Sequence, residues 1–305
     1  MATETLIVPP RRRRRRRRAS VHVPIWFVLP AAAAFLFVVV VPSVQGVFYS
    51  FTDWDGFTDD VQFVGLENFA QIFTDGRAGT PILNTLLLAF VVVVVQNVIG
   101  LLLALGLNSV IRSRHVLRVV FFVPVVLTPL VAGYVWSYLL SPRGTLNTFL
   151  DAVGLGALRH DWLGSPDTAL LSVCAAIIWQ FAGYSMVIFL AGLQAIPVEI
   201  TEAAVLDGAG PVRRLVSIIL PLINGAIVIN ALLTLVGSLG QFDQVMAMTS
   251  GGPGNATQTI STTIYKIGIG AGDYPYGIAL SVVMAGMVAI AAVGQYKLTS
   301  RKVDF

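Results

Sequence analysis

The chain has 305 residues, of which 56% are hydrophobic and only 12% charged, with a mean hydropathy of +0.79. Soluble domains carry about a quarter charged residues, so 20 basic and 16 acidic side chains cannot cover a soluble core of this size. A soluble enzyme, a disordered chain and a disulfide-stapled secreted domain are excluded, and the single cysteine, Cys174, sits inside an apolar run with no partner to pair with.

Residues 1–23 form an arginine-rich head with eight consecutive arginines, Arg11–Arg18. In front of an apolar run, such a block reads as a topology signal resting near anionic headgroups. Phosphate binding is the competing reading; no nucleic-acid partner is expected. From there the chain alternates loops with six apolar runs, at about Ile25–Phe48, Ile82–Leu107, Val116–Leu140, Ala169–Leu193, Leu215–Leu239 and Ile278–Tyr296. Each is close to the roughly 20 residues that cross a bilayer as a helix. Hydrocarbon offers backbone groups no partner, so runs of this kind must be helical. The first is too long for a signal-peptide core and leads into acidic loop rather than a cleavage site.

The predicted fold is therefore an all-α polytopic membrane protein with six transmembrane helices. Lys and Arg favour one side: 16 fall on the side of the N-terminus and four on the other, or eight to four without the arginine block. This predicts an N-in/C-in topology. Pro124 and Pro129 predict a kink in the third span. The loop at 240–277 is expected outside, with a tight turn at Gly251–Asn255. Trp26, Trp136, Trp162 and Tyr296 lie near span ends and read as interfacial anchors.

No span carries Asp, Glu or Lys, and only Arg118, at an edge, is charged. A proton relay or ion site at bilayer depth normally needs such a group. Neutral polar residues stand there instead: Asn84, Gln96, Asn97, Gln180, Asn224, Asn230, Thr234 and Ser238, with Gln241 just beyond. The pattern suits a path for a neutral, hydroxyl-rich solute driven from outside the membrane; the alternative is that these amides only bond helix to helix. None of the three lysines, Lys266, Lys297 and Lys302, follows a glycine, so a phosphate-cradling loop is absent. No catalytic constellation or metal motif appears, and no cofactor is expected on this chain.

The longest internal loop predicts a short helix. Pro197 ends the fourth span, Glu199 and Glu202 fall in its first turns, and Gly208 suits its stop. Val198, Ala203, Ala204 and Leu206 give it a small, apolar surface, to be sheltered by a docking partner or by the headgroup layer.

Glu202-Ala203-Ala204, then Gly208 after Asp207, then Ile218, Leu220 and Pro221 resemble the "EAA" signature of the membrane subunits of binding-protein-dependent ABC importers. Phe63–Phe69, Asn84-Thr85, Arg118–Pro124, Phe242–Val245 and Thr249–Pro253 are similar to the carbohydrate-uptake branch, the maltose- and glycerol-phosphate-permease type. The outer loops are too short for the extra domain that the maltose permease carries.

The resemblance implies a type I importer fold over residues 24–305, with a coupling loop at about 194–221. It implies that Glu202, Ala203, Ala204, Asp207, Gly208, Ile218, Leu220 and Pro221 serve coupling to a separate ATPase dimer, which holds the ATP and Mg. It further implies a second homologous permease, an extracytoplasmic binding protein and a sugar or polyol as solute. Gln180, Tyr184, Thr234, Ser238 and Gln241 would face that solute. The absence of membrane arginine disfavours a phosphorylated one unless the partner permease supplies the charge. A stand-alone carrier or channel, and a membrane scaffold without a solute path, are the competing functions.

Overall fold

The computed structural model describes residues 25–58, 60–109 and 111–299. The head 1–23 with its Arg11–Arg18 run lies outside the described residues, as do Arg301 and Lys302. Among the described residues every regular element is helical, apart from an isolated antiparallel bridge between Thr52 and Phe63. Contacts divide the chain into two units after Gln45. Helix α1 (Leu29–Tyr49) begins in the first and ends in the second. Pro42 lacks an N–H, and the turn before it widens so that the Val41 N–H reaches the Leu36 carbonyl.

The second unit holds α2 (Glu67–Thr74), α3 (Gly79–Leu107), α4 (Arg114–Val126), α5 (Pro129–Leu139), α6 (Thr145–Ala152) and α7 (Pro166–Gln194). After these come α8 (Val198–Leu206), α9 (Pro211–Leu222), α10 (Asn224–Leu239), α11 (Asp243–Thr249), α12 (260–270) and α13 (Tyr274–Thr299). Four helices, α1, α3, α7 and α13, are long and apolar enough to cross a bilayer alone. The third and fifth expected spans are bent pairs instead: α4 meets α5 at 99° and α9 meets α10 at 71°. By length and composition the described residues thus hold four helices able to cross a bilayer, or six spans if each bent pair counts as one.

The first bend is larger than the kink that the prolines predict. A residue before proline is pushed out of the helical region, and both Thr128 and Leu127 are extended, each with ψ 142°. Two extended residues in a row turn a kink into a break. The Leu127 carbonyl, cut off from any helical donor, accepts Nε2 of Gln180 at 2.8 Å.

Helices α3 and α7 approach closely because the contact is made by small residues. A Cβ built on Gly100 would stand 2.5 Å from the Ser185 Cβ, and one on Gly183 would run into the Phe121 carbonyl of α4. Around them Leu88, Val92, Val173 and Ile177 join Val245 and Met248 in one apolar cluster, and Ala104, Met186, Phe189 and Ile223 belong to another.

The stretch at 240–277 is not a simple loop. Its helix α11 is buried in the first cluster through Val245 and Met248. It lies against α5, where a Cβ on Gly133 would come within 2.7 Å of the Ala247 Cβ. The expected tight turn is present: Ser250, Gly251, Gly254 and Asn255 all have positive φ. Asn84 on α3 pins it, donating to the carbonyls of Asn255 and Gln258. Two of the expected anchors, Trp136 and Trp162, are half-buried and make contacts within the chain. Trp162 donates its indole N–H to Asn147 Oδ1 at 3.0 Å, and Trp136 packs edge-on against Trp179 with both Trp136 and Trp162 against the first cluster.

Candidate functional site

Helices α3, α4, α7 and α10 line an open-sided cavity of about 430 Å3. Its polar wall consists of Gln96, Tyr184, Thr234, Ser238 and Gln241, and Val125, Ile177, Phe181 and Leu233 supply apolar surface. No lining residue is charged. The bend between α9 and α10 and the break between α4 and α5 set this arrangement, since Val125 lies in the last turn of α4, two residues before the extended Leu127.

Four of the five residues expected to face solute therefore share one cavity. The fifth does not line it. Gln180 is one turn from Tyr184 on α7, yet it is 0% exposed, with Nε2 on the Leu127 carbonyl and Oε1 accepting from Gln244 Nε2 at 2.7 Å. Gln244 in turn accepts from Gln241 Nε2. Asn97 and Asn230 act as helix ties: Asn230 Nδ2 donates to Asn97 Oδ1 at 2.8 Å, and Asn97 Nδ2 donates to the Val93 carbonyl. Gln96, one of the neutral polar span residues that suit a solute path, lines the cavity beyond those five, and so does Phe181, which carries no polar signal in the sequence.

The second candidate region is α8. Pro197 precedes it, and its end closes with the Ala209 N–H on the Ala204 carbonyl and the Gly208 N–H on that of Val205. Gly208 takes φ 75°, the left-handed residue this closure requires. Glu202, Ala203, Asp207 and Gly208 are exposed while Ala204 is buried. Leu206 stands 88% exposed. Thr201, Glu202, Val205 and Leu206 line an open recess with Arg214 of α9, a residue not among those expected. Ile218, Leu220 and Pro221 are half-buried on α9, and Leu220 packs against the second cluster. They stand at the bend, apart from the exposed face of α8. Among the described residues no group of His, Cys, Asp or Glu could hold a metal ion.

An uncharged, open-sided cavity between apolar helices and a short exposed helix before a bent pair suit a solute-transport subunit. Residues 96–303 match the family of binding-protein-dependent transport system inner membrane components, and the chain belongs to that family. It is 33% identical over 276 residues to the probable starch degradation products transport system permease protein AmyD of Thermoanaerobacterium thermosulfurigenes, covering 90% of this chain and 93% of the relative. The multiple sugar-binding transport system permease protein MsmF of Streptococcus mutans is 33% identical over 85% of this chain and 89% of its own. The sn-glycerol-3-phosphate transport system permease protein UgpA of Pectobacterium atrosepticum is 32% identical over 94% and 97%. A solved bacterial ABC transporter involved in the import of the acidic polysaccharide alginate has a chain of the same fold, with a TM-score of 0.79 at 22% identity, over 92% of this chain and 96% of that one. The protein is a multi-pass permease subunit of an ABC importer in the bacterial inner membrane.

Proposed function

We propose that residues 24–305 form a six-span transmembrane domain, N-in/C-in, which with a second homologous permease makes the path for a sugar or polyol. In this reading α8 is a coupling helix that docks on a separate ATPase dimer, which holds the nucleotide and its Mg2+. An extracytoplasmic binding protein delivers the solute, and the cavity at Tyr184, Thr234, Ser238 and Gln241 receives it. The substrate class rests on the starch-product, sugar and glycerol-phosphate systems named for the relatives and on amide, hydroxyl and aromatic groups at an uncharged wall.

The observation that carries the coupling role is Leu206. An 88% exposed leucine beside Glu202 and Arg214, at the end of a helix closed by Gly208, has nothing among the described residues to cover it. A groove in another subunit would. Coupling then follows mechanically: closure of the ATPase dimer moves α8, and α9 carries the motion through its bend to α10 and the cavity wall.

Replacing Glu202 by Lys is expected to abolish ATP-dependent uptake by the assembled importer while leaving the chain in the membrane. Cross-linking from a cysteine at Ala203 should capture the ATPase. Normal uptake by the variant, or labelling of that cysteine only from outside the cell, would refute the reading. ATP-independent solute flux through the purified chain in liposomes would instead favour a stand-alone carrier.

A further inference from the structure

The polar groups of the cavity wall are not free to serve as donors and acceptors alike. Thr234 Oγ1 gives its proton to the Asn230 carbonyl at 2.8 Å, and Ser238 Oγ gives its own to the Leu235 carbonyl at 3.1 Å. Gln96 spends both N–H groups, on Ser185 Oγ at 2.9 Å and the Phe181 carbonyl at 3.4 Å. Gln96 and Ser238 are left with oxygen lone pairs to offer, and Thr234 Oγ1, which also accepts from Asn97 Nδ2 at 3.5 Å, keeps one.

At Gln241 the polarity is set from a distance. The Leu127 carbonyl can only accept, so Gln180 must turn Nε2 to it (2.8 Å) and Oε1 away. Gln244 must then donate Nε2 to that oxygen (2.7 Å) and keep Oε1 free to accept from Gln241 Nε2. Three amides thus run in one direction from the broken span to the cavity, and the last presents Oε1. The Tyr184 hydroxyl and one N–H of Gln241 are the donors that remain.

Resting on the proposed solute path, we infer that this wall is a hydrogen-bond-accepting surface that selects uncharged polyhydroxyl solutes and rejects phosphorylated and uronate sugars, with Gln244 as the positioning residue that fixes its polarity. A hydroxyl-rich neutral solute brings donors to every acceptor. A phosphate or carboxylate brings lone pairs to lone pairs, with no cation on this wall to offset its desolvation.

The test uses the complete importer, with its partner subunits and binding protein, in proteoliposomes. Uptake is compared for two matched probe pairs: maltotriose against trigalacturonate, and glycerol against glycerol 3-phosphate. ATP-dependent uptake of a neutral probe without its anionic partner is expected. Uptake of an anionic probe as fast as its neutral partner overturns this inference and leaves the importer reading standing; no ATP-dependent uptake of any probe overturns both.

For the neutral probe that is carried, Gln244→Met frees the Gln241 amide to turn over and takes from Gln180 Oε1 its donor. Losing one oriented hydrogen bond, about 1 kcal/mol, should raise KM about five-fold with a smaller change in Vmax. A merely structural Gln244 would lower Vmax and protein amount at constant KM, and that result overturns the positioning role. Should Gln244→Met not assemble, Thr234→Val and Ser238→Ala each remove an acceptor and should raise KM by a similar factor. Unchanged KM in both overturns the accepting wall.

Discussion

Gly208 closes α8 in a conformation that only glycine, and to a lesser degree asparagine, adopts freely: φ is 75°, and a Cβ at this position would meet nothing within 4 Å. The chain's own demand at this residue is therefore one of backbone, not of space. An L-residue in the left-handed region costs about 1–2 kcal/mol, with alanine near the lower end and a β-branched residue near the upper, while asparagine is several-fold enriched there. Helix α8 has nine residues and is marginal by itself, so this strain falls on the two bonds to Ala204 and Val205 that end it. A penalty of about 1 kcal/mol lowers the population of the closed end about five-fold. ATP-dependent uptake by the assembled importer, and retention of the ATPase on purification, should then rank Gly208 first, then Gly208→Asn, then Gly208→Ala, then Gly208→Val. If asparagine proved no better than alanine, side-chain size against a partner would govern the position and the backbone argument would fail.

Two further outcomes follow from the same geometry. Gly183→Ala sets a Cβ against the Phe121 carbonyl, and backbone cannot step aside as a side-chain end can. About 1–3 kcal/mol of overpacking strain should lower the melting temperature in detergent, whereas Gly106→Ala, with open space at its Cβ, should not; equal melting of the two would count against the α4–α7 contact. Asp55 is held below the ordinary carboxylate value of 3.8 by the Thr58 N–H, then the Phe57 N–H and the Thr58 hydroxyl. A depressed folded-state pKa stabilises the turn above the ordinary value and is lost as pH falls through the lowered one, so protection of the Phe57 and Thr58 amides from hydrogen exchange should fall only in strong acid. Protection that does not change with pH would show that the carboxylate does not hold the turn.

What could be read in the sequence was what local rules decide. The ends of α8 are local: a proline before it and a glycine after it specify where it starts and stops, and both stand where they were placed. The apolar runs are legible for a similar reason, since a backbone in hydrocarbon has to satisfy itself segment by segment. The break at Leu127 was not legible, because Pro124 and Pro129 are compatible with a kink or a full break. The difference is whether some group takes the orphaned carbonyl, and the group that does is Gln180, 53 residues away. Gln180 shows the limit from the other side. Helical spacing puts it on the face of Tyr184, but a short polar side chain goes to the strongest unsatisfied partner in reach, which here is a backbone oxygen and not the cavity. Helix α11 was hidden for want of length: Asp243–Thr249 is too brief for a periodic signal, and only Gly133 on another helix makes room for it.

The broken span and the polar cavity have a common physical origin. Unwinding a helix in an apolar setting leaves a carbonyl that costs several kcal/mol if nothing donates to it. The donor has to be carried by a neighbouring helix, and an amide that donates with one end must expose an acceptor at the other. At Gln180 that acceptor is buried, so it needs a second amide, Gln244, and that one needs a third. The sequence of obligations stops only where the last amide reaches open space, at Gln241 on the cavity. The orientation of Gln241 on the cavity wall is thus tied to the proline break. The same bonds tie the two mechanically: a motion of α10 that moved Gln241 off Gln244 would loosen the restraint on the Leu127 carbonyl, and with it the angle between α4 and α5.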